Sequence, residues 1–190
     1  MDDSYARHGP LTAQKMNTTA AGPLVAGARR ATTPSSTSVV TRMVFAARPE
    51  QVWNALLFYE QIQEPPPLLL RLLLPIPLST KGGKSKVGDE VRCLYEHGHL
   101  IKRITRIEAA RHYEFEVIEQ NLKVGGGLAL TGGCYALRSI ERGATEVGVT
   151  TRYISAMRPG WLWRPIEATA CHMFHHHLLS AMRREVQSDR

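Results

Sequence analysis

A chain of 190 residues, 43% of them hydrophobic, is long enough for one domain with a sizeable core. No uninterrupted apolar run reaches the roughly 20 residues that cross a bilayer, so no transmembrane segment is expected. The net charge of +7 is spread along the chain, and solvated strand faces explain it better than a nucleic-acid footprint does. Cys93, Cys134 and Cys171 are far apart, show no CxxC spacing and sit among apolar residues. They read as free thiols in a reducing, cytoplasmic setting, not as a zinc site or a redox motif.

Residues 1–37 are rich in Ala, Thr, Ser, Gly and Pro, with no apolar periodicity, and read as a disordered tail. Arg7, Lys15, Arg29 and Arg30 among Ser and Thr lean toward a transit peptide, and Asp2 and Asp3 lean against one. A single domain is expected over 38–187. Its first strand is SVVTRMVFA, with Val39, Met43 and Phe45 on one side. Pro49 then opens a helix over 50–59, with Val52, Trp53, Leu56 and Leu57 on its apolar face. The Leu/Pro-rich segment 65–78 has room for about two helical turns, which suits a buried or lid-like helix or an interfacial membrane contact.

Residues 78–90 read as a Gly/Lys/Ser loop. Its GGK is no P-loop, because the GxxxxGK[ST] spacing is absent. From Asp89 the apolar period becomes two, predicting an antiparallel meander over 90–96, 99–108 and 112–120. Gly125-Gly126-Gly127 and Gly132-Gly133 bracket a further short strand and mark bulges or bends where a sheet curls. Strands over 133–141 and 145–157 complete the sheet. Pro165, read as a first-turn proline, opens a long amphipathic helix over 161–186. Ile166, Ala170, Cys171, Phe174, Leu178 and Met182 lie on its apolar arc, with His172, His176 and Arg183 opposite. The expected fold class is two-layer α+β, a curved antiparallel sheet around a long C-terminal helix. A straight helix cannot touch a curved sheet everywhere, so an apolar pocket is expected between them.

This element order resembles the START-like (SRPBCC) superfamily, the helix-grip group of polyketide cyclases/dehydrases, lipid-transfer domains and birch-pollen-allergen-like proteins. The most specific piece is Ala47-Arg48-Pro49-Glu50-Gln51-Val52-Trp53 directly after the first strand. Gly88 before a strand, Tyr135-Ala136-Leu137 and the hairpin Gly143-Ala144-Thr145-Glu146-Val147 also fit. The resemblance covers about 38–187. It implies a helix-grip fold and a hydrophobic or amphipathic ligand such as a lipid, isoprenoid or polyketide.

Alternation along the strands nominates Tyr95, Tyr113, Phe115, Tyr135 and Tyr153 as pocket walls, joined by Phe174 and His175 from the helix. The same aromatics could instead simply fill the core. His175, at the edge of the apolar arc, is the candidate general base, with Tyr113 or Tyr135 as proton-transfer partner. Glu167 lies about 12 Å from His175 along a helix, too far for direct contact. His172 and His176 pair at i, i+4 on the face away from the arc with no carboxylate beside them, so no metal site is expected. No other cofactor is indicated either.

Arg92, Glu96, Arg103, Glu114, Glu116, Arg138 and Arg152 fall on the opposite strand faces, as solvent-facing ion pairs would. A slip of one residue would turn them into the cavity. The Trp/Arg-rich segment 158–164 could close over a ligand, rest on a membrane surface, or pack the helix start against the sheet. Three functions stand. The first is a binding or transport protein for a small hydrophobic molecule, with peripheral membrane contact as a possible accompaniment. The second is a cyclase or dehydratase, and the third a protein- or RNA-interaction domain with a basic surface.

Overall fold

Strict alternation organises the first strand. β1 (Thr37–Phe45) buries Val39, Thr41 and Phe45 and leaves Val40, Arg42 and Val44 facing water. The computed structural model describes residues 36–56, 58–62, 66–124 and 127–188. The tail expected over 1–37 therefore lies outside the described residues except for its last two. Leu57, Pro65, Gly125 and Gly126 lie outside them too.

After β1 the chain enters α1 (Pro49–Asn54), where the Arg48 carbonyl accepts from Gln51 N–H at 3.1 Å and Val52 N–H at 3.2 Å. This helix is shorter than the expected 50–59. Phe58 has extended backbone (φ −87, ψ 158), and the chain re-forms as a short 3-10 turn at Tyr59–Gln61. That break buries Phe58 and Tyr59 and leaves the Glu60 side chain only 1% exposed. The leucine-rich segment forms α2 (Leu68–Leu73), with Leu70 fully buried and Leu68, Leu69 and Leu72 in solvent.

The stretch read as a loop from residue 78 begins instead as a strand. β2 (Pro77–Gly82) pairs with β3 (Glu90–Tyr95) as the sheet edge. β4 (Gly98–Glu108), β5 (His112–Asn121), β6 (Leu128–Ile140) and β7 (Ala144–Ser155) follow. The seven strands form one antiparallel sheet in the order β1-β7-β6-β5-β4-β3-β2. The further short strand expected before Gly132 is instead part of β6, which runs through both glycines with a register shift against β7 between Leu130 and Gly132. A Cβ on Gly133 would meet the Thr150 carbonyl oxygen at 2.6 Å and the Phe115 ring at 3.0 Å. The missing side chain is what lets neighbouring strands and Phe115 close up on the bend.

Arg103, Glu114, Glu116, Arg138 and Arg152 lie on the outer face in cross-strand pairs, whereas Lys102 points inward. Arg103 binds Glu90 at 2.8 Å and Glu116 at 3.4 Å, Arg138 binds Glu146 at 3.1 Å, and Arg152 binds Glu114 at 2.8 Å. The inner face therefore carries the apolar set, and the one-residue slip does not occur.

α3 (Gly160–Ser188) starts ahead of Pro165, which sits inside the helix and not in its first turn. The opening turn closes on the Pro159 carbonyl, which accepts from Leu162 N–H at 3.2 Å and Trp163 N–H at 3.4 Å. A proline this close to the start removes one ladder donor without stopping the helix. The two halves of α3 differ. Leu178, Leu179, Ala181, Met182 and Val186 are buried against the sheet and α1, whereas Trp161, Leu162 and Ile166 remain exposed.

Candidate functional site

Where the first half of α3 stands off from the sheet, a cavity of about 200 Å³ remains. The helix contributes Ile166, Ala170, Cys171 and Phe174 to its wall, and α2 contributes Leu70 and Leu73. The sheet contributes Tyr95, Leu100, Phe115, Val117, Leu130 and Tyr153. The wall is overwhelmingly apolar. Exposed Ile166 and half-buried Trp163 and Leu73 mark its mouth, between α2 and the start of α3.

One polar cluster interrupts this lining. Lys102 of β4 and Glu60 of the 3-10 turn are both cavity-lining, with side chains 8% and 1% exposed. The Lys102 ammonium donates to Glu60 Oε1 at 3.0 Å and Oε2 at 3.1 Å, and the Tyr95 hydroxyl donates to Oε1. The ammonium also lies over the Phe58 ring at 4.5 Å and the Phe115 ring at 5.4 Å. Burial by itself favours the neutral forms of both groups, but their mutual attraction outweighs it. The Lys102 pKa is raised and that of Glu60, which also holds the Tyr95 hydroxyl, is lowered. Burial, then the Glu60 charge, raises the Tyr95 phenol. Burial is also the main cause that pushes the nearby Cys93 thiol up to about 12. The cluster is thus a full ion pair with a protonated phenol, able to orient a polar group of a bound molecule.

The sequence-nominated residues separate into three places. Tyr95, Phe115, Tyr153 and Phe174 line the main cavity. Tyr113 and Tyr135 line a second pocket of about 290 Å³ with Trp53, Phe58 and Lys84. Phe58 packs edge-on against Tyr113 at 5.7 Å and against Phe115 at 5.6 Å, so its ring stands between the two spaces. The Tyr113 hydroxyl donates to the Lys84 carbonyl at 2.8 Å, and burial raises both phenols.

His175 lines neither space. It is fully buried, with Nδ1 at 2.8 Å from the Thr41 hydroxyl and Nε2 at 2.8 Å from the Thr151 hydroxyl. Burial first, then the neighbouring His172 and His176, pushes it down to about 3, so the ring is neutral at physiological pH. Thr41 also meets His172 Nδ1 at 2.7 Å. One hydroxyl carries one proton, so at least one of these two rings donates to Thr41. The three side chains tie α3 to β1, and Thr151 adds a tie to β7. Among the described residues, no three His, Cys, Asp or Glu side chains converge as a metal cage would.

Glu60 and Lys102 went unnominated in the sequence. For Lys102 a signal existed: Leu100, Lys102 and Ile104 share the inward face of β4, so a lysine occupies a core position. For Glu60 none did, because the expected helix over 50–59 hid the turn that carries it inward.

No protein-family model matches the sequence, and no curated protein does. Solved structures do match. Ara h 8.0201 is 12% identical and superimposes with a TM-score of 0.52 over 81% of this chain and 99% of its own. A norcoclaurine synthase mutant from Thalictrum flavum, solved with a transition-state analogue, is 12% identical, with a TM-score of 0.53 over 82% of this chain and 96% of its own. Protein SA2116 of unknown function from Staphylococcus aureus gives 9% identity and a TM-score of 0.58 over 82% and 96%. The chain has the helix-grip fold of START-like proteins. Helix-grip scaffolds serve many chemistries, so the function has to be argued from the cavity.

Two outcomes follow from this geometry. Lys102→Met leaves Glu60 buried without its counter-charge and should lower the unfolding free energy by roughly 3–5 kcal/mol, with more than half recovered when Glu60→Gln is added. Equilibrium urea unfolding of the wild type, both single variants and the double variant measures this, and additive losses would contradict the pairing. His175, held down in the fold, stabilises it fully above its ordinary value of 6.5 and loses that contribution as pH falls toward about 3. The stability advantage of the wild type over His175→Asn should therefore shrink between pH 7 and pH 4. An advantage equal at both pH values would rule out a neutral, locked ring.

Proposed function

We propose that this domain binds a small hydrophobic or amphipathic molecule in the cavity between the sheet and the first half of α3. The single observation that carries this reading is an apolar cavity with a charged cluster in its wall, Glu60–Lys102–Tyr95. An apolar space that is not filled by side chains forfeits packing contacts, and a folded chain gains nothing by keeping it empty. Ligand sites combine apolar walls with a few fixed polar groups, and this cavity has that composition. The norcoclaurine synthase of the same fold was solved with dopamine and hydroxybenzaldehyde, small molecules of mixed polarity. A ligand of that size class suits about 200 Å³ better than a two-chain lipid does. An acid–base enzyme through His175 with Tyr113 or Tyr135 draws no support from residues that stand in separate places. The free thiols Cys93, Cys134 and Cys171 fit a reducing, cytoplasmic setting.

A second observation favours transient contact with a membrane. On α2 and at the start of α3, the two elements that border the mouth, Leu68, Leu72 and Trp161 are 76%, 83% and 78% exposed, with exposed Arg71 and Arg158 near them in sequence. Apolar side chains beside arginines suit the interface of an anionic bilayer. Among the described residues no helix is long and apolar enough to cross one.

Native mass spectrometry of protein purified from its own host should show a stoichiometric small molecule. Ala170→Phe, which fills the cavity from α3, should weaken 1-anilinonaphthalene-8-sulfonate binding at least tenfold with the fold intact by circular dichroism. Unchanged probe affinity would place the binding elsewhere. Leu68→Ser/Leu72→Ser/Trp161→Ser should reduce co-sedimentation with phosphatidylglycerol vesicles at least fivefold. Equal sedimentation of the variant and the wild type would remove the membrane from the account.

A further inference from the structure

The second pocket, of about 290 Å³, is separated from the main cavity by the Phe58 ring and has walls of a different kind. Four aromatic side chains surround it. The Trp53 and Tyr113 rings lie 6.1 Å apart, and Tyr113 and Tyr135 lie 6.4 Å apart. Phe58 is 5.7 Å from Tyr113 and 6.4 Å from Tyr135. Rings held at such angles offer both edges and faces to the space between them, which suits a further flat ring.

Lys84, in the loop between β2 and β3, brings a charge to this lining. Its ammonium donates to Gln61 Oε1 at 2.9 Å and lies 5.6 Å from the Phe58 ring centre. Among the described residues no carboxylate pairs with it, and burial lowers its pKa. A partly desolvated cation with only a neutral acceptor favours the arrival of an anion. The Asp89 carboxylate is spent on the loop backbone, where it accepts from Ser85 N–H at 2.9 Å and Lys86 N–H at 3.0 Å, and it is not part of the lining. The Tyr113 hydroxyl donates to the Lys84 carbonyl at 2.8 Å and so fastens this loop to the aromatic wall. Lys84 is also exposed to solvent, so a molecule entering the pocket reaches the ammonium without crossing the core. An ammonium has three donors, and Gln61 takes one.

We propose that this pocket is a second binding site, for an aromatic carboxylate of one or two fused rings. The ring lies among Trp53, Phe58, Tyr113 and Tyr135, and the carboxylate accepts from the Lys84 ammonium. A neutral aromatic molecule would leave the cation uncompensated, and an aromatic cation would be repelled. A saturated acid would pair with Lys84 but forgo the ring contacts. The main cavity has no equivalent feature, because Glu60 already neutralises Lys102.

Equilibrium dialysis of the full chain against 2-naphthoate, 2-naphthamide and decahydro-2-naphthoate tests this. 2-Naphthoate should bind at least fivefold more tightly than the amide, which has the rings without the charge. It should bind at least threefold more tightly than the decahydro acid, which has the charge without the aromatic rings. Lys84→Met keeps the apolar stem, so it should bring the acid-to-amide ratio below twofold and leave amide affinity unchanged. Lys84→Arg should restore the ratio. Ala170→Phe, which fills the main cavity, should leave 2-naphthoate affinity within twofold of the wild type. Equal binding of acid and amide by the wild type overturns the proposal, as does a saturated acid that binds as tightly as the aromatic one. Affinity for 2-naphthoate that falls in Ala170→Phe and survives in Lys84→Met puts the acid in the main cavity, which overturns the second site and leaves the main-cavity reading standing. Failure of 2-naphthoate to bind at millimolar concentration overturns the second site as well.

Discussion

A straight helix lying on a curled sheet is the constraint from which this molecule follows. A 29-residue helix extends roughly 40 Å, and a twisted antiparallel sheet cannot follow it for that distance. Contact is resolved in favour of one end. Leu178, Leu179, Met182 and Val186 seal the second half of α3, while the first half presents Ile166, Ala170 and Phe174 to space. The glycines of β6 sharpen the effect, because Gly133 admits the Phe115 ring where any side chain would hold it off. The cavity is thus a consequence of packing one end well.

Placing polar groups in such an interior is expensive unless each has a partner. The protein meets this requirement in two ways. Lys102 and Glu60 enter as an ion pair, each compensating the desolvation of the other, and Tyr95 donates to the same carboxylate. His175 enters neutral, with a threonine hydroxyl on each ring nitrogen, so no charge needs compensation. The first solution faces the cavity; the second faces the seam between α3 and the sheet. A histidine-based chemistry is attractive from sequence, but the ring is spent on holding the helix in place.

The fold was largely legible because period-two alternation and the A-x-P-x-x-V-W entry are local signals that the tertiary structure respects. Val39 and Phe45, and the charged residues opposite them, fall on the faces that alternation assigns. The misses have physical causes. Pro77–Gly82 looked like loop because its apolar content is low, yet an edge strand needs only backbone pairing with β3. Pro165 looked like a helix start because the proline signal marks any position in the opening turns, and here Pro159 supplies the first acceptor. Of the seven nominated wall residues, Tyr95, Phe115, Tyr153 and Phe174 reach the main cavity. Tyr113 and Tyr135 share the same sheet face but lie beyond Phe58, a residue whose position depends on an extended break that periodicity does not encode. Glu60 was invisible for the same reason.

The Lys102–Glu60 pair has an evolutionary corollary. It joins groups 42 residues apart in sequence and stitches the 3-10 turn to the sheet, so its side chains serve stability whatever the cavity holds. Substitutions there are filtered by folding before any ligand is tested. Leu128, Leu130, Ile166 and Ala170 carry no such double duty, and because they border unfilled space, apolar exchanges there change the volume of the cavity instead of overpacking a filled core. Descendants of this scaffold are therefore free to drift in the girth and length of what they hold, while the chemistry at the ion-pair end stays pinned to the architecture.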